Sequence, residues 1–216
     1  MKAVVSPFGH NIQGSWPFTP FDTRVDAVAN GGVTGGDVLV LWGGTDIHPS
    51  FYKAKAHPSN QVVGQDVPSK RDEIEWFLIK KAVHYGIPII GVCRGAQMLC
   101  AFANGSMFQH VSGHNTSHSI TTFDQKEFKP QADHHQMMDL NGTDHQLLAW
   151  STKKQSNYYD KEVYFRHNID QAPDFEPEVV LFPGIKALAI QPHPEWEPND
   201  SPFVKWVNSV IENKLL

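Results

Sequence analysis

The chain has 216 residues, the size of one ordinary domain built around a single core. Hydrophobic residues make up 40% and charged residues 19%, with 13 Phe, 6 Trp and 5 Tyr, which excludes a disordered chain. A formal net charge of -5 without a Lys/Arg run argues against nucleic acid as a partner, and two cysteines are too few for a disulfide framework. The start MKAVVSPFGHN lacks the apolar length of a secretory signal, and no stretch approaches a membrane span of about 20 apolar residues. A reduced, cytoplasmic setting with no membrane partner is expected.

In chain order, short apolar runs at 2–6, 37–42 and 87–92 read as buried parallel strands. Between the second and third, 69–85 reads as a helix with Ser69 and Asp72 spaced as a capping box and Ile74, Phe77, Leu78 and Ala82 on one stripe. After Cys93 the uncharged run 95–103 predicts a helix packed behind a sheet, stopped by Asn104 and Gly105. Shorter strands follow at 106–111, 119–123, 146–151, 178–182 and 186–191, and Ser201-Pro202 opens a last helix towards Leu215. The polar, aperiodic stretch at about 152–177 reads as an inserted surface flap. This alternation predicts a three-layer α/β domain over 1–216, a mainly parallel sheet flanked by helices.

The most informative stretch is Gly91-Val-Cys-Arg-Gly95, an apolar strand turning straight into a helix, the pattern of a nucleophile elbow. Glycines two residues either side leave room for a strained turn that lifts the Cys93 thiol off the strand end, and the helix N-terminus favours its anion. Cys100, on an apolar helix without flanking glycines, reads as structural.

Gln191-Pro-His-Pro-Glu195 follows another apolar strand, so His193 and Glu195 sit at its carboxyl end in a stiff loop. An imidazole with one nitrogen on a thiol and the other held by a carboxylate completes a Cys93–His193–Glu195 triad. Trp42-Gly-Gly-Thr-Asp46 ends a third strand, where the Gly44 N–H can join the N–H of Arg94 in an oxyanion hole.

Twelve histidines raise the question of a metal, above all His110, His114, His118, His134 and His135. His114 and His118 have helical ligand spacing, but the segment between them is poor helix material and no H-E-x-x-H arrangement occurs. Neither metal nor cofactor is expected.

Four segments in this order resemble the class I glutamine amidotransferase-like family of peptidase C26, the gamma-glutamyl hydrolase type: Gly43-Gly-Thr-Asp-Ile-His-Pro-Ser-Phe-Tyr52, Arg71-Asp-Glu-Ile-Glu75, Gly91-Val-Cys-Arg-Gly-Ala-Gln97 and Gln191-Pro-His-Pro-Glu195. The resemblance implies a flavodoxin-like class I glutamine amidotransferase fold. It implies Gly43 and Gln97 beside the substrate, Gln97 at its amino-acid end, and Asp133-His-His-Gln136 as the substrate-side segment, with His135 its marked member. Where relatives commonly have Trp, and Asn-Ser before the paired histidines, this chain has Pro192 and Ala132-Asp133.

The reading is therefore an enzyme that hydrolyses a small-molecule gamma-glutamyl amide through a thioester on Cys93. Two alternatives share the fold: a glutaminase subunit that passes ammonia to a separate synthetase, and a binding module that has lost turnover. A homodimer is compatible with all three. An α/β-hydrolase-type cysteine esterase is disfavoured, because its acid precedes the final His, whereas Glu195 follows His193.

Overall fold

The computed structural model describes residues 1–8, 15–161 and 172–216. Its main sheet has nine strands: β1 Lys2–Val5, β2 Thr23–Asp26, β3 Val38–Leu41, β4 Ile89–Val92, β7 Ile120–Thr122, β8 Glu127–Phe128, β10 Gln146–Ser151, β12 Pro177–Phe182 and β13 Ala187–Ile190. They run in the order β2-β1-β3-β4-β13-β12-β10-β7-β8. The first five are mutually parallel and the rest antiparallel. Two small antiparallel pairs sit beside it, β5 Ser106–Phe108 with β9 Met137–Asp139, and β6 His110–Val111 with β11 Tyr159–Asp160. The fold is the expected three-layer α/β arrangement. Among the described residues no helix is long and apolar enough to cross a membrane.

The central strands are apolar throughout because both their faces are covered. Val38, Val40, Ile90, Val92, Leu188 and Ile190 point into one core with Phe203, Trp206 and Val207 of helix α3 (Pro202–Val210). The intervening Leu39, Leu41, Ile89, Ala187 and Ala189 point into the other, against helices α1 (Lys70–Tyr85) and α2 (Arg94–Phe102). Gly91 of β4 and Ala187 and Ala189 of β13 are small, which lets α2 approach these two strands closely. The last predicted helix ends at Val210 and continues as a wider π-type turn, Ile211–Leu215.

Helix α1 starts at the expected cap, with Ser69 accepting from the Asp72 N–H and Asp72 accepting from the Ser69 N–H. Its buried stripe is rotated from the predicted one: Asp72, Glu75, Leu78, Ile79 and Ala82 face inward, while Phe77 lies exposed beneath the Lys81 ammonium. Two carboxylates take the inner face because Arg94 meets them there.

Residues 106–111 form two strands in different sheets rather than one. The break is at Gln109, whose buried amide donates to Lys55 O (2.7 Å) and Lys161 O (2.6 Å), tying the crossing to the chain on both sides. Strand β2, polar and on the sheet edge, has no apolar alternation to announce it. The stretch read as a flap is described only outside 162–171; its near flank pairs with β6 through Tyr159 and Asp160, both buried.

Candidate active site

Strands β3, β4 and β13 are parallel neighbours, so their carboxyl ends lie side by side. Gly43 and Gly44 follow β3, Cys93 follows β4 and His193 follows β13. Ligand sites of open parallel sheets sit at such an edge.

Cys93 occupies φ 51°, ψ -107°, a strained conformation for a residue with a Cβ, costing about 1–3 kcal/mol. The turn is held by the Cys93 N–H donating to Ile190 O (2.7 Å) and the Gln97 N–H donating to Cys93 O (3.1 Å). The flanking glycines are needed for close approach: a Cβ at Gly91 would sit 2.5 Å from the Gly95 carbonyl, and one at Gly95 would sit 2.6 Å from Leu41 O.

The His193 ring lies in the same corner. A Cβ on Gly43 would sit 3.1 Å from His193 Cε1 and 3.8 Å from Cys93 Sγ, so ring and sulfur share one wall. His193 Nδ1 is 2.7 Å from Glu195 Oε1, and its backbone N–H donates to Gln131 O (2.8 Å). The Trp196 indole stacks on the imidazole at 3.7 Å between centroids and 5° between planes. Burial opposes a charge on His193, but the neighbouring Cys93 sulfur and then the Glu195 carboxylate, with their charges, overcome it and raise the pKa to about 10.

Gly44 has φ +140°, and a Cβ there would strike Arg71 Nη1 at 2.3 Å. Arg71 Nη2 donates to both Trp42 O and Gly43 O (2.9 Å each), which fixes the orientation of the peptides leading to Gly44. Arg94 opens α2, where the first N–H groups have no intrahelical acceptor. Its side chain turns away from the cavity and is buried against Asp72 and Glu75 of α1, pairing with both.

A cavity of about 320 Å³ opens over the sulfur, within the size range of small-molecule sites. Cys93, Gly44, Gln97, His135 and His193 line it. Gln97 Nε2 donates to Gln136 O (3.3 Å) and Gln191 Oε1 (3.4 Å). Asp46 braces the outer wall, facing His135 Nε2 at 3.1 Å and accepting from Gln136 Nε2 (3.0 Å) and the Gln61 N–H (2.8 Å). That contact raises the His135 pKa, against the effect of burial.

The family model for peptidase C26 matches residues 21–195. The chain belongs to this class I glutamine amidotransferase-like family. A candidate glutamine amidotransferase-like protein of Rickettsia prowazekii is 36% identical over 91 residues, 42% of this chain and 31% of that relative. A candidate glutamine amidotransferase of Mycobacterium tuberculosis is 34% identical over 91 residues, 39% of this chain and 28% of its own. The matches thus span less than a third of these relatives. Among solved structures, a glutamine amidotransferase of Thermotoga maritima superposes with TM-score 0.57 at 14% identity, covering 99% of this chain and 85% of that one. PurLQS of the same organism gives 0.61 at 16%, covering 100% and 99%. At such identities the likeness is one of fold.

Of the site residues expected in this peptidase C26 chain, Gly44, Cys93, Gln97, His135 and His193 line the cavity, and Glu195 lies behind His193. Gly43 backs the Cys93–His193 corner, and Arg94 is not among the lining residues. Sequence reasoning missed Trp196, Gln61 and Asn115, which also line the cavity. Trp196 carried one signal, its place directly after Glu195; the other two come from loops whose apposition no local pattern encodes.

The His193 pKa gives a direct check. It lies above the unfolded value of about 6.5, so protonation stabilises the fold fully below that pH and the contribution is lost as pH rises through about 10. In an NMR titration the His193 Cε1–H resonance is expected to stay at its imidazolium position through pH 8. In Cys93→Ala, which removes the sulfur partner, the midpoint should fall. A midpoint unmoved by that change would show that the two groups do not interact.

Proposed function

We propose that this chain hydrolyses the side-chain amide of glutamine or of another gamma-glutamyl amine, with Cys93 as nucleophile. The observation that carries the reading is the position of His193, against the sulfur on one side and 2.7 Å from Glu195 on the other, at the ends of adjacent parallel strands. Membership of peptidase C26 supports the reaction class.

The Cys93 sulfur attacks the amide carbonyl carbon, and the oxyanion accepts from the N–H groups of Gly44 and Arg94. The His193 imidazolium gives its proton to the leaving amine as the C–N bond breaks, leaving a glutamyl thioester. His193, now neutral, takes a proton from water, the hydroxide adds to the thioester, and glutamate leaves as the thiolate is restored beside the imidazolium. Glu195 orients the ring and stabilises its charge. Trp196 covers one ring face, limiting rotation.

Release of glutamate from glutamine and from gamma-glutamyl amides of larger amines, followed with the purified chain, tests this reading. Turnover of the larger amides marks a self-sufficient hydrolase, and turnover of glutamine alone favours an ammonia-delivering subunit. No glutamate from any of them counts against the proposal.

Gly44→Ala probes the oxyanion hole. The added methyl meets the end of the Arg71 side chain, and φ +140° is a conformation that L side chains rarely adopt, so the peptide is expected to turn and carry the N–H with it. The expected loss is about 10²–10³ in kcat with little change in KM. An unaltered kcat would remove Gly44 from the mechanism.

A further inference from the structure

Behind the wall formed by the 133–136 segment, three histidines and a glutamate converge from separate parts of the chain. His114 and His118 come from the loop between β6 and β7, His134 from the segment before β9, and Glu178 from β12. All four are buried. His118 Nε2 lies 2.8 Å and His114 Nδ1 3.2 Å from Glu178 Oε1, and His134 Nε2 lies 3.9 Å from Glu178 Oε2.

The outer ring nitrogens identify the inner ones. His118 Nδ1 is 3.0 Å from Thr116 O and His134 Nδ1 is 2.8 Å from Gln136 O. A carbonyl only accepts, so each Nδ1 carries a proton and each Nε2 is the nitrogen turned towards the carboxylate. His134 Nε2 and Glu178 Oε2 have no hydrogen-bond partner among the described residues. A carboxylate ringed by imidazole nitrogens in a buried space needs positive charge beside it, from a metal cation or from protons on the rings.

We propose that His114 Nδ1, His118 Nε2, His134 Nε2 and Glu178 bind one zinc ion. Three imidazoles and a carboxylate are a zinc donor set, and tetrahedral bonds of about 2.0–2.1 Å put donors about 3.3 Å apart; the donor atoms of His114, His118 and Glu178 lie within 4.8 Å of one another, and His134 Nε2 stands 3.9 Å from Glu178 Oε2. Outer ring nitrogens seated on acceptors are the usual support of metal-bound histidines. The third, His114 Nε2, faces Glu176 Oε2 at 3.3 Å without hydrogen-bond geometry. Glu176 is itself fixed by the N–H groups of Gln155 (2.7 Å) and Ser156 (2.9 Å) and by the Tyr159 hydroxyl (2.7 Å).

Four protein ligands leave no open position, so the ion is structural. It ties the 114–118 loop to β12 and to the segment that forms the outer wall of the catalytic cavity. The expectation of no metal came from asking whether 114–118 could be a helix; here loop and strand, not helical spacing, bring the donors together. The competing occupants are protons on His114 and His118.

The test measures metal content and ligation in the full chain, using zinc and cobalt as probes. Chain from zinc-supplemented medium is expected to hold about one equivalent, with zinc-edge X-ray absorption reading three imidazoles and one carboxylate. The chelated chain should take up Co²⁺ with tetrahedral d–d bands, and Cys93→Ala should keep both metal and bands. His118→Asn and Glu178→Gln should each weaken zinc binding at least about tenfold. The proposal is overturned if chelated wild-type chain takes up no zinc, if the absorption edge reports sulfur, or if metal is lost in Cys93→Ala but kept in Glu178→Gln. Should the ligand variants not fold, wild-type stoichiometry and the edge spectrum still decide.

Discussion

Cys93→Ser is expected to lower glutamine or gamma-glutamyl amide turnover by about four orders of magnitude or more while leaving the far-UV spectrum unchanged. Serine keeps the size of the side chain and the φ 51° backbone of the elbow, so the fold has no reason to change. What is lost is the sulfur nucleophile and the charge that holds His193 protonated, since the Cys93 contact is the largest influence raising its pKa to about 10. Steady-state kinetics on the purified variant check this. A rate within about tenfold of the parent would contradict a thioester route, because an oxygen nucleophile beside the same imidazole cannot replace the thiolate so closely.

Arg94→Met is expected to destabilise the fold by about 3–5 kcal/mol. The guanidinium is 1% exposed and pairs with Asp72 and Glu75 on α1, while Arg71 and Ser6 bond the same Glu75. Removing it leaves two buried carboxylates short of their counter-charge. At about 2–4 °C per kcal/mol for a chain of this length, Tm should fall by about 6–20 °C in calorimetry. Arg94→Lys should recover only part of this, because one ammonium cannot span two carboxylates as a planar fork does. An unchanged Tm in Arg94→Met would mean that the carboxylates reach water. The residue thus has two separable roles: its side chain clamps α2 to α1, and its N–H is proposed to face the substrate.

These two cases show where sequence is readable. The elbow is legible because its determinants are contiguous: an apolar strand, a glycine on either side of one cysteine, and a helix. Strands β3, β4 and β13 are legible because burial on both faces makes every residue apolar. The Arg94 clamp was not, since it depends on α1 turning two acids inward, which also put Phe77 on the surface. Edge strand β2 and the break at Gln109 escaped because partners elsewhere in the chain define them. The same holds for the buried histidine–glutamate cluster, assembled from one loop, one pre-strand segment and one strand.

The central claim is that Cys93, not Cys100, is a nucleophile poised beside an imidazole in a cavity of about 320 Å³. Cys100 serves as the internal control: it is fully buried, bonds weakly to Ser106 O and Asp139 O, and burial drives its thiol pKa upward. Incubating the chain with an electrophilic glutamine analogue and mapping the adduct by peptide mass spectrometry measures the claim directly. The account predicts one adduct, on Cys93, slowed by added glutamine and abolished in His193→Ala. An unlabelled Cys93, or label found on Cys100 instead, would contradict it.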